Sequence, residues 1–107
     1  MDKNDVVILE LDRPRELKLT HKVLKRFMAR KKVSMENFDS AVQSYEGMTD
    51  LICEMLRRED PALTEEQCDD LLDAVTIKEI LEKGAQAIAA GFGSRDEEGT
   101  EEGNPTK

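Results

Sequence analysis

The stretch MTDLICEML at residues 48–56 indicates a helical fold, because its apolar side chains recur at the spacing of an α-helix. The positions that share one face of this helix are Met48, Leu51, Ile52, Met55 and Leu56. Gly47 interrupts the preceding helix, and Pro61 marks the break that follows. Because the chain has no tryptophan and few other aromatic residues, its core has to be aliphatic, which suits helix packing better than an all-β sandwich.

Two more helices are predicted on the C-terminal side of Pro61. Residues 64–67, TEEQ, form a capping box that opens the first of them. Residues 76–79, TIKE, form a second capping box for a helix that ends near Gly91. The apolar positions of the two helices are Cys68, Leu71, Leu72 and Val75 in one, and Ile77, Ile80, Leu81, Ala85 and Ile88 in the other.

A β-hairpin and two helices are predicted on the N-terminal side. Residues 6–11, VVILEL, read as a strand, residues 12–15 as a turn, and Leu17 and Leu19 indicate a second, antiparallel strand. Thr20 is the predicted N-cap of the first helix, and Ser34 that of the second. The apolar positions of these helices are Val23, Leu24, Phe27 and Met28 in the first, and Met35, Phe38, Ala41, Val42 and Tyr45 in the second.

The sequence therefore predicts a mainly α protein with a short N-terminal β-hairpin, an α+β fold whose core is a compact bundle of about four to five helices. Residues 1–93 are expected to form a single domain. Residues 94–107 contain no large apolar side chain and are expected to be a disordered acidic tail. The polar first residues and the lack of any apolar run of ~20 residues predict neither a secretory signal nor a membrane span.

Charge is abundant and unevenly distributed along the chain. Charged residues make up 37% of the sequence, with a formal net charge of -8. Residues 13–32 hold nine basic residues and one acidic residue, whereas acids outnumber bases nineteen to six after Met35. This asymmetry either orients the protein against charged partners or reflects solvated helix faces.

The residues that catalysis or metal binding would require are not assembled by any motif. His21 is the single histidine and is expected to be exposed in the first turn of a helix. Cys53 and Cys68 are expected to be buried free thiols, and the acids near Asp69 a solvated helix face. The sequence therefore predicts that the protein is not an enzyme and uses no metal or cofactor.

A basic helix raises the possibility of nucleic-acid binding. Its candidate phosphate contacts are Lys22, Lys25, Arg26, Arg30, Lys31 and Lys32. The strongly negative net charge and the lack of a known reading module argue against this function, which is kept as the alternative: a small nucleic-acid-associated regulatory protein using the basic helix at 20–32.

The order of the segments resembles that of a known family. A hairpin ending in LKLT at residues 17–20 runs into a helix with VLKRF at 23–27, and MLRREDPALTEE at 55–66 joins two later helices. Residues 71–73, LLD, and a last amphipathic helix with an acidic tail complete the pattern. Over residues 6–92 the chain resembles the tail assembly chaperones of siphophages and prophages.

The resemblance implies a role in viral morphogenesis. Such chaperones bind the long helical tape-measure protein, keep it soluble and help recruit tail-tube subunits around it. They work in the cytoplasm of the infected or lysogenic bacterial host and are not expected in the mature virion. A longer form is often made by ribosomal frameshifting.

Several apolar side chains are candidates for contacting such a partner. Methionine is adaptable and suits varied partner sequences, although the same residues can simply fill the core. The candidate partner-binding residues are Met28, Met35, Met48, Met55, Phe38 and Tyr45. The hairpin edge is a second candidate surface, for self-association by strand pairing.

Overall fold

The computed structural model describes residues 6–93 and confirms the predicted fold class. The predicted tail at 94–107 lies outside the described residues, as do residues 1–5. In chain order the elements are β1 (Val7–Glu10), β2 (Pro14–Leu17), α1 (His21–Lys31), a 3-10 turn (Met35–Asn37), α2 (Phe38–Gln43), α3 (Tyr45–Glu59), α4 (Glu65–Leu72) and α5 (Ile77–Gly91).

Helix α3 is the centre of the bundle. It contacts α1, α2, α4, α5 and β2. Every residue from Leu51 to Leu56 is buried, so this stretch is enclosed on all sides and not along one stripe alone. Enclosure also buries two acids of α3, Asp50 and Glu54, which periodicity alone would place on an exposed face.

The hairpin packs its apolar face on α3 and α5. Val7 pairs with Leu17 and Glu10 with Pro14, so the turn comprises residues 11–13. The predicted turn at 12–15 was therefore placed too late, and the second strand begins at Pro14. Proline is tolerated there because the first residue of a strand need not donate a backbone hydrogen bond. The apolar alternation still continues past the strand end to Leu19, which is buried.

Short-range capping bonds from threonine set the start of α1, α4 and α5. The Thr20 hydroxyl accepts a hydrogen bond from the Val23 amide at 3.2 Å, and the Thr76 hydroxyl accepts one from the Glu79 amide at 3.1 Å. Thr64 and Gln67 exchange reciprocal bonds of 3.1 and 2.9 Å, which confirms the first capping box. Ser34 differs from the prediction, because it precedes the 3-10 turn and its side chain makes no capping bond.

The boundary between α2 and α3 lies at Ser44, which corrects the predicted interruption at Gly47. The Ser44 hydroxyl accepts a hydrogen bond from the Gly47 amide at 2.9 Å and donates one to the Ala41 carbonyl at 3.1 Å. Gly47 is therefore inside the first turn of α3. A Cβ at this position would overlap the Ala41 carbonyl oxygen, so glycine permits the close approach of two helices.

Replacing Gly47 with alanine is expected to lower the free energy of unfolding by about 1–3 kcal/mol, a typical cost of overpacking. Helix propensity alone predicts the opposite sign, a gain of about 1 kcal/mol. Urea unfolding of the purified variant measures the difference. The matched control is Gly84→Ala, where the added Cβ meets the flexible end of Met48 and the loss should be smaller. A Gly47→Ala protein more stable than the parent would contradict the close approach.

Helix α5 carries apolar side chains on two faces. Ile80, Gly84 and Ala87 are buried, whereas Ile77 is 62% exposed and Leu81 is 40% exposed. Ile77 and Leu81, two of the apolar positions predicted for this helix, therefore lie outside its buried stripe. Within residues 6–93, other elements cover the face with Ile80, whereas the face with Ile77 and Leu81 stays exposed.

Candidate functional site

A groove opens where the N-terminal ends of α3 and α5 meet the C-terminal end of α4. We call it the α3–α4–α5 groove; its volume is about 420 Å³. Leu72 and Ile80 are buried at its apolar base, while Tyr45 and Ile77 are 45% and 62% exposed. The acidic residues that line it are Glu46, Asp69 and Asp73.

Helix ends bring these side chains together. The Ser44 cap makes Tyr45 the first residue of α3, and the Thr76 cap makes Ile77 the first residue of α5. Between α4 and α5, the Val75 amide donates a hydrogen bond to the Leu72 carbonyl at 3.2 Å. This tight connection keeps the end of α4 next to the start of α5, so the groove is formed by well-capped elements.

The acids of the groove have no ion-pair partner within residues 6–93, although Glu46 is close enough to Lys31 to help raise the pKa of that lysine. Glu46, Asp69 and Asp73 make no ion pair with any residue of that range, and α4 has no basic residue. Lys78 is the only basic residue between Glu59 and Lys83. The groove therefore combines an apolar base with a negatively charged border.

The structure corrects the predicted methionine surface. Met48, Met55 and Phe38 are 7%, 0% and 1% exposed, so a partner cannot contact them in this conformation. Their helical spacing puts the two methionines on the same side as Leu51 and Ile52, where they fill the core. Met28 is partly buried against that core.

Two of the six predicted contact residues are exposed. Met35 is 52% exposed and lies in the 3-10 turn, whereas Tyr45 lines the groove. The structure does not bring these two into one site. Sequence reasoning missed Ile77 as a surface residue because its apolar character and position matched the buried stripe of α5.

The predicted basic surface of α1 is smaller in the structure. Arg30 Nη2 lies 3.1 Å from Asp50 Oδ1 and Arg30 Nη1 lies 3.1 Å from Glu54 Oε2, while Lys31 Nζ lies 2.8 Å from Asp50 Oδ2. Arg30 and Lys31 therefore form ion pairs with acids of α3. Contrary to the prediction, they are not free to contact the phosphates of a nucleic acid. The basic candidates that remain exposed are Lys22, Lys25, Arg26 and Lys32.

Arg30 connects three helices. Besides its bonds to α3, its guanidinium lies 2.7 Å from Glu65 Oε2 on α4. Burial lowers the pKa of Arg30, but hydrogen bonds with Cys53 and Glu54 and nearby carboxylates raise it more, so the net shift is upward. One feature of the sequence could have indicated these ion pairs: Asp50 and Glu54 lie four residues apart, on one side of a helix, within the mostly apolar stretch at 48–56.

The two buried cysteines lie in contact between α3 and α4. Cys53 Sγ and Cys68 Sγ are 2.6 Å apart, and both side chains are buried as predicted. The hydrogen bond from Cys68 lowers the pKa of Cys53 against the effect of burial, whereas the same contact and burial raise the pKa of Cys68. Within residues 6–93, no group of three or more His, Cys, Asp or Glu is arranged to hold a metal ion.

Over the described part of the chain, none of the helices has the length and apolar character needed to cross a bilayer. Comparison of the chain with protein-family models, curated proteins and solved structures gave no match.

Proposed function

We propose that this chain is a tail assembly chaperone of a siphophage or prophage that holds apolar helical segments of the tape-measure protein. The observation that carries the proposal is the α3–α4–α5 groove, with Tyr45 and Ile77 exposed beside buried Leu72 and Ile80. Large apolar side chains exposed next to a concave apolar base are typical of helix-in-groove recognition. The order of hairpin and helices, which resembles this family, is the second support.

The physical task of such a chaperone suits a shallow groove. A long helical tape-measure protein exposes apolar stripes before tail-tube subunits enclose it, and each groove can cover a short part of one stripe. Many copies bound along one chain gain avidity although each contact is weak. The chaperone then helps recruit tail-tube subunits, acts in the host cytoplasm and leaves before the virion is complete. Self-association through the hairpin edge stays a prediction.

Co-expression with the tape-measure protein tests the proposal. The parent chain is expected to keep that protein soluble and to co-purify with it in many copies. Ile77→Asp is expected to reduce the co-purified amount by on the order of tenfold, because a charge replaces an apolar anchor. Met35→Asp is the matched control, since Met35 is similarly exposed but outside the groove. An insoluble tape-measure protein beside a folded, free chain would refute the proposal.

Nucleic-acid binding is the second candidate function. Lys22, Lys25 and Arg26 lie together with His21 on the outer face of α1, where a shallow surface includes Ala29. With Arg30 and Lys31 engaged elsewhere, few cations remain for phosphate contacts. Retention on heparin that persists at moderate salt and is lost in Lys22→Ala/Lys25→Ala would favour this candidate over the chaperone.

A further inference from the structure

We infer that the α3–α4–α5 groove selects cationic amphipathic helices, in which lysine or arginine borders the apolar stripe. This inference rests on the proposed function, because it names the chemistry of the segment that the groove holds. It joins two properties of the groove, its exposed apolar side chains and the acids Asp69 and Asp73, which make no ion pair within residues 6–93.

The apolar surface extends from the groove along α5. Ile77 is 62% exposed in the first turn of α5, and Leu81, one turn later, is 40% exposed. Residues four apart lie on the same side of a helix, so these two form a short stripe that continues from Tyr45 and the groove. Such a stripe matches the apolar side of another helix packed alongside.

The acids of α4 are placed where a helix disfavours them. Asp69 lies in the C-terminal half of α4, Asp73 is its C-cap residue, and no basic residue lies in the last turn. The partial negative charge at a helix C-terminus repels carboxylates. Glu46 differs, because it lies in the first turn of α3, where the dipole favours an acid. Asp69 and Asp73 therefore have the most to gain from an external cation.

The acids elsewhere in the bundle show the contrast. Asp50 and Glu54 are buried and satisfied by Arg30 and Lys31, whereas Asp69 and Asp73 make no ion pair within residues 6–93. Residues that destabilise their own helix, and that the rest of the fold does not compensate, are expected at functional sites. A partner lysine or arginine supplies the missing charge, and its aliphatic stem can cover Tyr45 or Ile77.

Two synthetic helical peptides with the same apolar stripe test the inference, one bordered by lysine and the other by glutamate. Fluorescence anisotropy with the full chain is expected to show Kd at least on the order of tenfold lower for the lysine peptide at low salt, and a smaller difference at high salt. Asp69→Asn/Asp73→Asn is expected to bring the two Kd values within about threefold of each other.

The matched control is Glu66→Gln/Asp70→Asn, which removes the same charge from α4 at residues that do not line the groove. It is expected to keep most of the difference between peptides. Asp69→Asn/Asp73→Asn is expected to unfold at the same or a higher temperature than the parent, because it removes charges that the dipole disfavours. Loss of folding then does not explain its loss of selectivity.

Equal affinity for the two peptides, or a preference that survives Asp69→Asn/Asp73→Asn, would overturn the inference. A chain that forms dimers on its own through the groove, detected by sedimentation and abolished by Ile77→Asp, would also overturn it, since a second copy would be the occupant. If the two peptides bind with equal affinity and co-expression still keeps the tape-measure protein soluble, the chaperone proposal stands without the charge preference. If the peptides behave as expected and co-expression fails, the groove binds cationic helices of another protein.

Discussion

Replacing Arg30 with alanine is expected to lower the free energy of unfolding by about 3 kcal/mol, the low end of the loss for breaking a buried ion pair. Asp50 and Glu54 are 10% and 5% exposed at their side chains, and Arg30 is the cation that binds both. Lys31 remains beside Asp50, and Arg57 lies 3.7 Å from Glu54, which limits the loss. A domain of this size has a total stability of roughly 5–10 kcal/mol, so the effect is large.

Chemical denaturation at neutral pH measures the change, with Arg26→Ala as control. Arg26 is an exposed arginine of the same helix, and its removal is expected to change stability by less than about 0.5 kcal/mol. Adding Asp50→Asn and Glu54→Gln to Arg30→Ala is expected to restore part of the loss, because the unpaired charges disappear. An Arg30→Ala protein as stable as Arg26→Ala would show that the ion pairs do not stabilise the bundle.

Replacing Phe27 with alanine is expected to lower the free energy of unfolding by about 3–5 kcal/mol, the cost of a large cavity in a packed core. Phe27 is fully buried and meets Phe38 edge to face, with ring centroids 5.7 Å apart. Phe38 in turn meets Phe92 at 5.5 Å. The three rings join α1, α2 and the end of α5. Helix α2 has six residues and is too short to be stable alone, so it depends on this contact.

Thermal unfolding and amide hydrogen exchange measure the effect of Phe27→Ala. Exchange is expected to accelerate most in α2, whose anchoring ring loses a partner. Phe92→Ala is the matched control: its ring is 47% exposed, so its removal is expected to cost about 1 kcal/mol. Similar losses for the two variants would contradict the position of Phe27 at the centre of the aromatic contacts.

The candidate site was only partly predictable from the sequence. Tyr45 was among the predicted contact residues, but the pattern assigned it to the preceding helix, because Gly47 was interpreted as a break. The sequence predicts Asp69 to be part of a solvated acidic helix face, but nothing in its neighbourhood along the chain indicates an apolar groove beside it. The groove is formed by three helix ends, and their meeting depends on the packing of α4 and α5 against α3.

The class of fold and most helix starts follow from interactions between residues that are close along the chain. Capping by Thr20, Thr64 and Thr76 involves residues three positions apart, and the alternation in the hairpin is equally local, so both can be predicted without a tertiary structure. In contrast, tertiary contacts set which apolar residues are covered and which charges are paired. Arg30 reaches Asp50 and Glu54, 20 and 24 residues away, and Ile77 is exposed because no other element within residues 6–93 packs over it. Burial and ion pairing depend on neighbours that are distant along the chain, and helical periodicity carries no information about them.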